Sequence, residues 1–157
     1  MRSPAPARRE LPDWLATIDP VNVPALKAAE NLSAREYLTR RLRLLDAANS
    51  AAARFDDVDV IATPTVMVTP HVLAEDAGPE KFWARNRRLV HNLVPANYLT
   101  LCAATLPVGL DRLGMPVGLQ LIARGGDDER LLAIACAAER VIGTPRQILG
   151  TPPMCKG

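Results

Sequence analysis

Hydrophobic residues recur every three or four positions in the stretch that follows Ser33. This spacing places them on one side of a helix, and a serine before such a run is a frequent N-cap. Glu36 stands three residues after Ser33, as in a capping box, and is also spaced for an i,i+4 ion pair with Arg40. We therefore predict a helix that ends near Arg54 and buries one stripe of residues: Leu38, Leu42, Leu45, Ala48, Ala52 and Phe55.

Two later stretches show the same helical spacing. The first begins near Pro79, which suits the first turn of a helix, and Asn86 falls on the same face as its apolar residues. The second is expected to be capped by Asp127 or Asp128 and to end at Gly143. Its predicted buried stripe consists of Leu131, Ile134, Ala135, Ala138 and Ile142.

Three short apolar runs are typical of strands. The segment DVDVIATPT, residues 57–65, predicts a buried strand in a sheet that is covered on both faces. Residues 95–110, PANYLTLCAATLPVGL, run from an irregular segment into a second strand. The stretch RLGMPVGLQLI, residues 112–122, follows as the second half of a hairpin, with Gly114 in the turn and Pro116 as the first strand residue.

Successive side chains of the last run alternate between the two faces of the strand. Gln120 falls on the same face as Gly118 and Ile122, and Gly118 leaves room there for a neighbouring backbone or helix. A buried amide must find partners, because an unsatisfied one costs about 1–3 kcal/mol. We expect Gln120 to bond loop backbone in the neighbourhood of Asn97; the alternative is that it shapes a substrate pocket.

The elements follow one another as helix, strand, helix, strand, strand, helix. This order predicts an α/β fold with a mixed sheet of about three strands covered by helices. Residues 1–24 are expected to form a loose lead-in, residues 25–145 the folded part and residues 146–157 a tail. Because sheets usually contain about 4–6 strands, we expect partner strands to be missing and the chain alone to be poorly soluble or to self-associate.

Composition narrows the classes of function. The chain has 157 residues, 48% of them hydrophobic, and a net charge of +2, so nothing calls for nucleic acid or for a membrane surface. No run reaches the length of a membrane span, and no secretory signal is visible. Cys102, Cys136 and Cys155 show no metal-ligand spacing, which favours a reducing compartment. We therefore expect a cytoplasmic protein with no metal and no cofactor.

No self-contained active site emerges from the residue types that carry hydrolytic chemistry. Ser3, Ser33 and Ser50 all stand outside any glycine-rich nucleophile elbow. His71 and His91 are isolated, and a lone histidine is more often a surface or capping residue than a catalytic one. We assign no catalytic residue to this chain.

The cysteines and acidic residues lead to the same result. Cys102 and Cys136 lie in apolar runs and are expected to be buried and inert. Three aspartates precede the first strand: Asp56, Asp57 and Asp59. One of them could act as a general base, but we favour the interpretation that they cap the helix–strand connection or face solvent.

Three segments in order resemble the C-terminal part of the amidase signature family. Residues 57–65 are similar to that family's aspartate–apolar–Pro–Thr strand end, and residues 95–109 to a segment in which an asparagine precedes a strand ending in Pro-x-Gly. The most specific segment, residues 114–132, resembles the Gly-Leu-Pro-Val-Gly-Leu-Gln-Leu-Ile run and the acidic helix start that follows it. The similarity covers residues 30–143 in the family's order and spacing.

The resemblance implies a partial amidase signature fold over residues 25–145. Family members hydrolyse carboxylic or urea-type amides with a Ser–cisSer–Lys set that a glycine- and serine-rich N-terminal half supplies. This chain has no such segment, so the resemblance implies a C-terminal fragment or subunit that is inactive alone. Asn97 and Gln120 are its candidate substrate-binding residues. Thr100 and Cys102 depart from the glycine and proline usual in the family.

Three hypotheses follow for partners and function. In the first, the chain combines with a complementary amidase N-terminal half or with further copies of itself, and meets a small-molecule amide only in a complete enzyme. In the second, it is a non-catalytic binding or assembly subunit. In the third and weakest, it is an independent enzyme that uses His71 or His91 with a carboxylate.

Overall fold

The computed structural model describes residues 17–70 and 78–151. Ser3, His71 and Cys155 lie outside them. The described α-helices, named in chain order, are α1 Val23–Glu30, α2 Ala34–Ala52, α3 Pro79–Val90, α4 Val94–Tyr98, α5 Asp128–Ile142 and α6 Pro145–Leu149. The described strands are β1 Ile61–Pro64, β2 Cys102–Leu110 and β3 Pro116–Ala123.

The three strands form one sheet in the order β1-β3-β2. The central strand β3 runs antiparallel to both neighbours, although it comes last in the sequence. The prediction of an α/β fold built on about three strands is confirmed. The domain bounds at residues 24/25 and 145/146 stay a prediction.

The β2–β3 hairpin is closed by the side chain of Asp111. One of its carboxylate oxygens accepts hydrogen bonds from the backbone N–H of Leu113, at 2.8 Å, and of Met115, at 2.9 Å. Gly114 occupies the turn with φ 77°, a conformation that glycine adopts without steric cost. Pro116 is the first residue of β3, where its missing N–H removes no ladder bond. Both predictions for this hairpin are confirmed.

One face of the sheet packs against α5 and carries the core. Leu121 of β3 and Cys102 of β2 meet Leu131 and Ala135 of the helix, and all four residues are buried. The predicted stripe of α5 therefore faces the sheet. Cys136 is exposed, so the prediction that it is buried was wrong. It directly follows Ala135, and consecutive helical residues point about 100° apart.

Helix α2 begins as predicted but leaves its apolar face open. The Ser33 hydroxyl accepts from the Glu36 N–H at 3.2 Å, and the Glu36 carboxylate pairs with Arg40. Leu38 and Leu42, however, are 55% and 60% exposed. The prediction of a buried stripe was therefore wrong for this chain: the pattern is amphipathic, but the described residues do not cover it.

Strand β1 is an edge strand rather than a strand covered on both faces. Among the described strands it pairs only with β3, and Ile61 is 38% exposed, so the prediction of full burial was wrong. The segment before β2, predicted to be irregular, contains the short helix α4. Pro95 stands in its first turn, where proline has no N–H to lose.

Two ion pairs tie the connection before β1 to the segment that follows β3. Asp56 pairs with Arg124, and Asp59 pairs with Arg130. Arg124 also donates to the carbonyl oxygen of Ala52 at 3.0 Å, near the C-terminal end of α2. These aspartates thus hold α2 and β1 against the start of α5. The partners are exposed, so each pair contributes about 0–1 kcal/mol.

Candidate functional site: a polar row across the sheet

Three polar residues stand in register across all three strands. Thr63 of β1 and Thr105 of β2 both pair with Gln120 of β3. Residues directly opposite each other in antiparallel strands share a face, so the three form a polar row on the face that turns away from α5. Gln120 is only 1% exposed and is the largest fully buried side chain among the described residues.

The end of α3 is tied to this row by Asn92. The Gln120 amide nitrogen donates to the Asn92 carbonyl oxygen at 3.5 Å, and the Asn92 side-chain nitrogen donates to the Pro64 carbonyl oxygen at 2.7 Å. Gln120 therefore has the expected backbone partner, although it is Asn92 rather than a residue around Asn97. Asn97 lies exposed in α4. A substrate contact for Asn97 or Gln120 stays a prediction.

Two oxygens of the polar row have no hydrogen-bond partner among the described residues. They are Gln120 Oε1 and Thr63 Oγ1, and both are buried. A buried acceptor without a donor costs about 1–3 kcal/mol. These two oxygens can therefore accept hydrogen bonds from a group that carries a donor.

Gly118 gives this face its close packing beside the polar row. A Cβ at position 118 would lie 2.6 Å from the Thr65 hydroxyl oxygen and 2.9 Å from the Thr105 methyl carbon. The two threonines meet above the glycine, with Thr65 Oγ1 donating to Thr105 Oγ1 at 3.3 Å. The space predicted for a backbone or a helix is thus filled by two side chains.

A cavity of about 280 Å³ opens at the β1 side of the row. Its polar and charged groups come from Arg54, Thr63, His91 and Asn92, and its other walls are apolar. His91 is exposed and follows the last residue of α3. The structure thus brings Thr63, His91 and Asn92 to one cavity, with Gln120 next to Thr63 in the sheet.

The Ser50 hydroxyl and the Cys102 thiol are engaged in structural contacts. Ser50 donates to the Asp46 carbonyl oxygen at 2.9 Å, and Cys102 donates to the Arg124 carbonyl oxygen at 3.0 Å. Burial raises the pKa of the Cys102 thiol, with Asp128 adding to the effect, and a protonated thiol is a poor nucleophile. No group of three metal-ligating side chains occurs within residues 17–70 and 78–151.

Sequence reasoning found Gln120 but missed its neighbours. Asn92 had a usable signal: it lies three residues after Leu89, on the apolar face of the helix that was predicted there. Thr63 and Thr105 could be placed on strands, but only the register of the sheet shows that they flank Gln120.

The chain is similar in sequence to known amide-hydrolysing and deaminating enzymes by name. The 2-amino-5-chloromuconic acid deaminase of Comamonas testosteroni is 38% identical over 146 residues, which are 93% of this chain and 32% of that protein. The fatty acid amide hydrolase of Medicago truncatula is 37% identical over 95 residues, 59% of this chain and 16% of that protein. The chain thus spans about a third or less of these relatives.

The fold is also found among solved structures. A crystal structure of an amidase superposes with a TM-score of 0.70 at 22% identity, over 89% of this chain and 32% of that one. None of the described helices is long and apolar enough to cross a membrane. The amidase family model matches residues 16–132, which confirms the resemblance drawn from the three segments. The chain belongs to the amidase family.

Proposed function

We propose that this chain forms the C-terminal part of an amide hydrolase and has no hydrolase activity on its own. In this proposal the nucleophilic serine, the bridging serine and the lysine come from a complementary N-terminal part. Membership of the amidase family supports the reaction class, as does the relative whose name is fatty acid amide hydrolase. The observation that carries the proposal is the open apolar face of α2.

The open face of α2 has the chemistry of a buried interface. Tyr37, Leu38, Leu42 and Leu45 are each between 45% and 60% exposed. Burying a leucine contributes about 1.5–3 kcal/mol, and a contiguous apolar patch of this kind marks a surface that another element covers. A complementary part of the same fold would supply that cover.

Within the complete enzyme we assign the two candidate binding residues different tasks. Gln120 is buried, so it fixes the wall formed by Thr63 and Asn92. Asn97 is exposed on α4, so its amide is the one free to reach a ligand. The prediction is that replacing Asn97 alters KM by removing a contact with the ligand, whereas replacing Gln120 alters KM by shifting the wall that it holds.

A chimera tests the proposal directly. The segment of the Comamonas testosteroni deaminase that aligns with this chain is replaced by this chain, and the product is assayed on that enzyme's substrate and on simple amides. We expect the chimera to be active and the isolated 157-residue chain to be inactive. The matched control is the same chimera with Leu42→Glu, which places a charge in the apolar face of α2. We expect this charge to disrupt packing of α2 against the complementary part, and the activity of the chimera to fall.

The outcomes separate the hypotheses. Turnover by the isolated chain overturns the proposal, and the variants Ser33→Ala and Ser50→Ala then show whether either serine is the nucleophile. A chimera that folds cooperatively but hydrolyses none of the amides favours the alternative, a non-catalytic binding or assembly subunit. Activity that is unaffected by Leu42→Glu removes the role given to the open face of α2.

We also infer a cytoplasmic location. The support is that Cys102 and Cys136 are free, as expected in a reducing compartment. Fractionation of the source cells, with the chain detected by an antibody, tests this inference.

A further inference from the structure

A second and larger cavity, of about 580 Å³, lies at the opposite end of β3 from the core. The loop after β1, helix α3 and the β2–β3 hairpin border it on three sides, and it is open to solvent. Val66, Val68 and Val117 contribute apolar walls, while Arg85 and Arg88 approach from α3. Its volume lies within the range of about 300–1,000 Å³ that small-molecule sites occupy.

The two arginines of α3 bring positive charge to this cavity. Asp111 also lines it, but its carboxylate is held by the N–H of Met115, the N–H of Leu113 and the Thr69 hydroxyl, which lower its pKa. That carboxylate is therefore ionised at neutral pH and already has its donors. The Arg88 guanidinium, in contrast, makes no hydrogen bond or ion pair with any of residues 17–70 and 78–151.

We propose that this cavity binds a small molecule that carries a carboxylate on an apolar body. The Arg88 guanidinium accepts the carboxylate, since its planar fork can donate two parallel N–H bonds to the two oxygens. The valines hold the apolar body. The proposal concerns ligand binding by this chain alone, so it holds whether or not the chain takes part in hydrolysis.

Titration calorimetry on the full 157-residue chain tests the proposal, with hexanoate, hexanamide and hexylammonium as probes. We expect hexanoate to bind about tenfold or more tightly than hexanamide, because only the acid gives Arg88 a charged partner. Hexylammonium has the same apolar chain and the wrong charge, so we expect no binding. Raising the salt concentration should weaken hexanoate binding and leave hexanamide unchanged.

Variants of α3 locate the site. Arg88→Ala should weaken hexanoate binding about tenfold or more, and Arg88→Lys should fall between it and the parent, because lysine keeps the charge and loses the fork. The matched control is Arg87→Ala, which removes the adjacent exposed arginine of the same helix turn but does not line the cavity. Arg88→Gln guards against a folding defect, since glutamine is a good helix former and keeps a polar side chain without the charge.

Each outcome decides the proposal. Equal affinity for hexanoate and hexanamide overturns it. If Arg87→Ala weakens hexanoate binding as much as Arg88→Ala does, the effect is one of general surface charge, and the proposal is overturned as well. Loss on Arg88→Ala and Arg88→Gln together, with Arg87→Ala unchanged, supports it. None of these results depends on hydrolysis, so a failed chimera leaves them intact.

Discussion

Gln120 on β3 and Thr63 on β1 face each other across the sheet, and each keeps one buried oxygen without a hydrogen-bond partner among the described residues. The pairing concentrates the cost of burying polar atoms at one point of an otherwise apolar sheet. Such a pair weakens the chain taken alone, because both oxygens have left water and neither has gained a donor.

Removing the buried amide should therefore not weaken the chain. Gln120→Met keeps the length of the side chain, removes the oxygen without a donor and gives up one long hydrogen bond to Asn92. We expect the free energy of unfolding to stay equal or to rise by about 1 kcal/mol, measured by urea denaturation.

Thr105→Val is the control for this prediction. It changes the third member of the polar row, whose hydroxyl is bonded to Thr65. We expect it to cost about 0.5–1.5 kcal/mol, the net worth of an ordinary hydrogen bond. A loss of more than about 2 kcal/mol in Gln120→Met would show that the amide is satisfied in solution, by water for instance.

The hairpin could be read from the sequence, but the polar row could not. Gly114 and Pro116 act through local backbone chemistry, which the sequence displays directly. The alternation of faces put Gln120 beside Gly118 for the same reason. Which residues lie opposite Gln120 depends on the register of two other strands, and one of those is far away in the chain.

Burial was harder to predict than secondary structure for a related reason. The apolar spacing of α2 was correctly interpreted as helical, but Leu38 and Leu42 are buried only if a second element covers them. The core face of α5 was predicted correctly because the sheet it packs against is part of this chain.

Thr100 is held in a conformation that suits glycine. Its φ is 54°, which makes it the only non-glycine residue with positive φ among the described residues, and it is β-branched. The left-handed conformation costs a non-glycine residue about 1–2 kcal/mol. Glycine avoids this strain, but it loses more backbone entropy on folding, which offsets part of the gain. We expect Thr100→Gly to raise the free energy of unfolding by about 0.5–1 kcal/mol in urea denaturation.

The same substitution in a right-handed helix provides the comparison. Thr39 lies within α2, where glycine should lower stability by a few tenths of a kcal/mol. A Thr100→Gly variant that is less stable than its parent would mean that the bond from the Thr100 hydroxyl to the Leu99 carbonyl oxygen, at 2.7 Å, outweighs the backbone strain.

The two described cysteines should differ in reactivity. Cys102 is buried and its pKa is raised, whereas Cys136 is exposed. At pH 8 we expect iodoacetamide to label Cys136 in the folded chain and to label Cys102 only when urea unfolds it, as read by peptide mass spectrometry. Equal labelling rates in the folded chain would contradict the buried position of Cys102.

The raised pKa of Cys102 also sets a pH dependence of stability. The folded state holds the thiol proton more tightly than the unfolded state, whose pKa is near the ordinary value of 9.0. The contribution of Cys102 is therefore complete below pH 9 and is lost as the pH rises from there through the folded pKa. Cys102→Ala should flatten this decline, and Cys136→Ala should leave it unchanged.

The open face of α2 should cause self-association when the chain is expressed alone. We expect light scattering after size-exclusion chromatography to show dimers or larger species, and Leu42→Glu to shift them toward monomer. Val141→Glu is the matched control: Val141 is 88% exposed on α5, outside the α2 patch. A monodisperse, cooperatively melting parent monomer would count against both this prediction and the proposed need for a complementary part.

The order of the strands has a consequence for how the chain folds as it leaves the ribosome. β1 is synthesised first, yet its only described partner is β3, the last strand to appear. The β2–β3 hairpin can form locally, but Ile61 can pair only after Ile122 has been synthesised. During that interval an edge strand and an amphipathic helix are exposed together, so a nascent chain of this design depends on fast capture, by its own hairpin or by a chaperone.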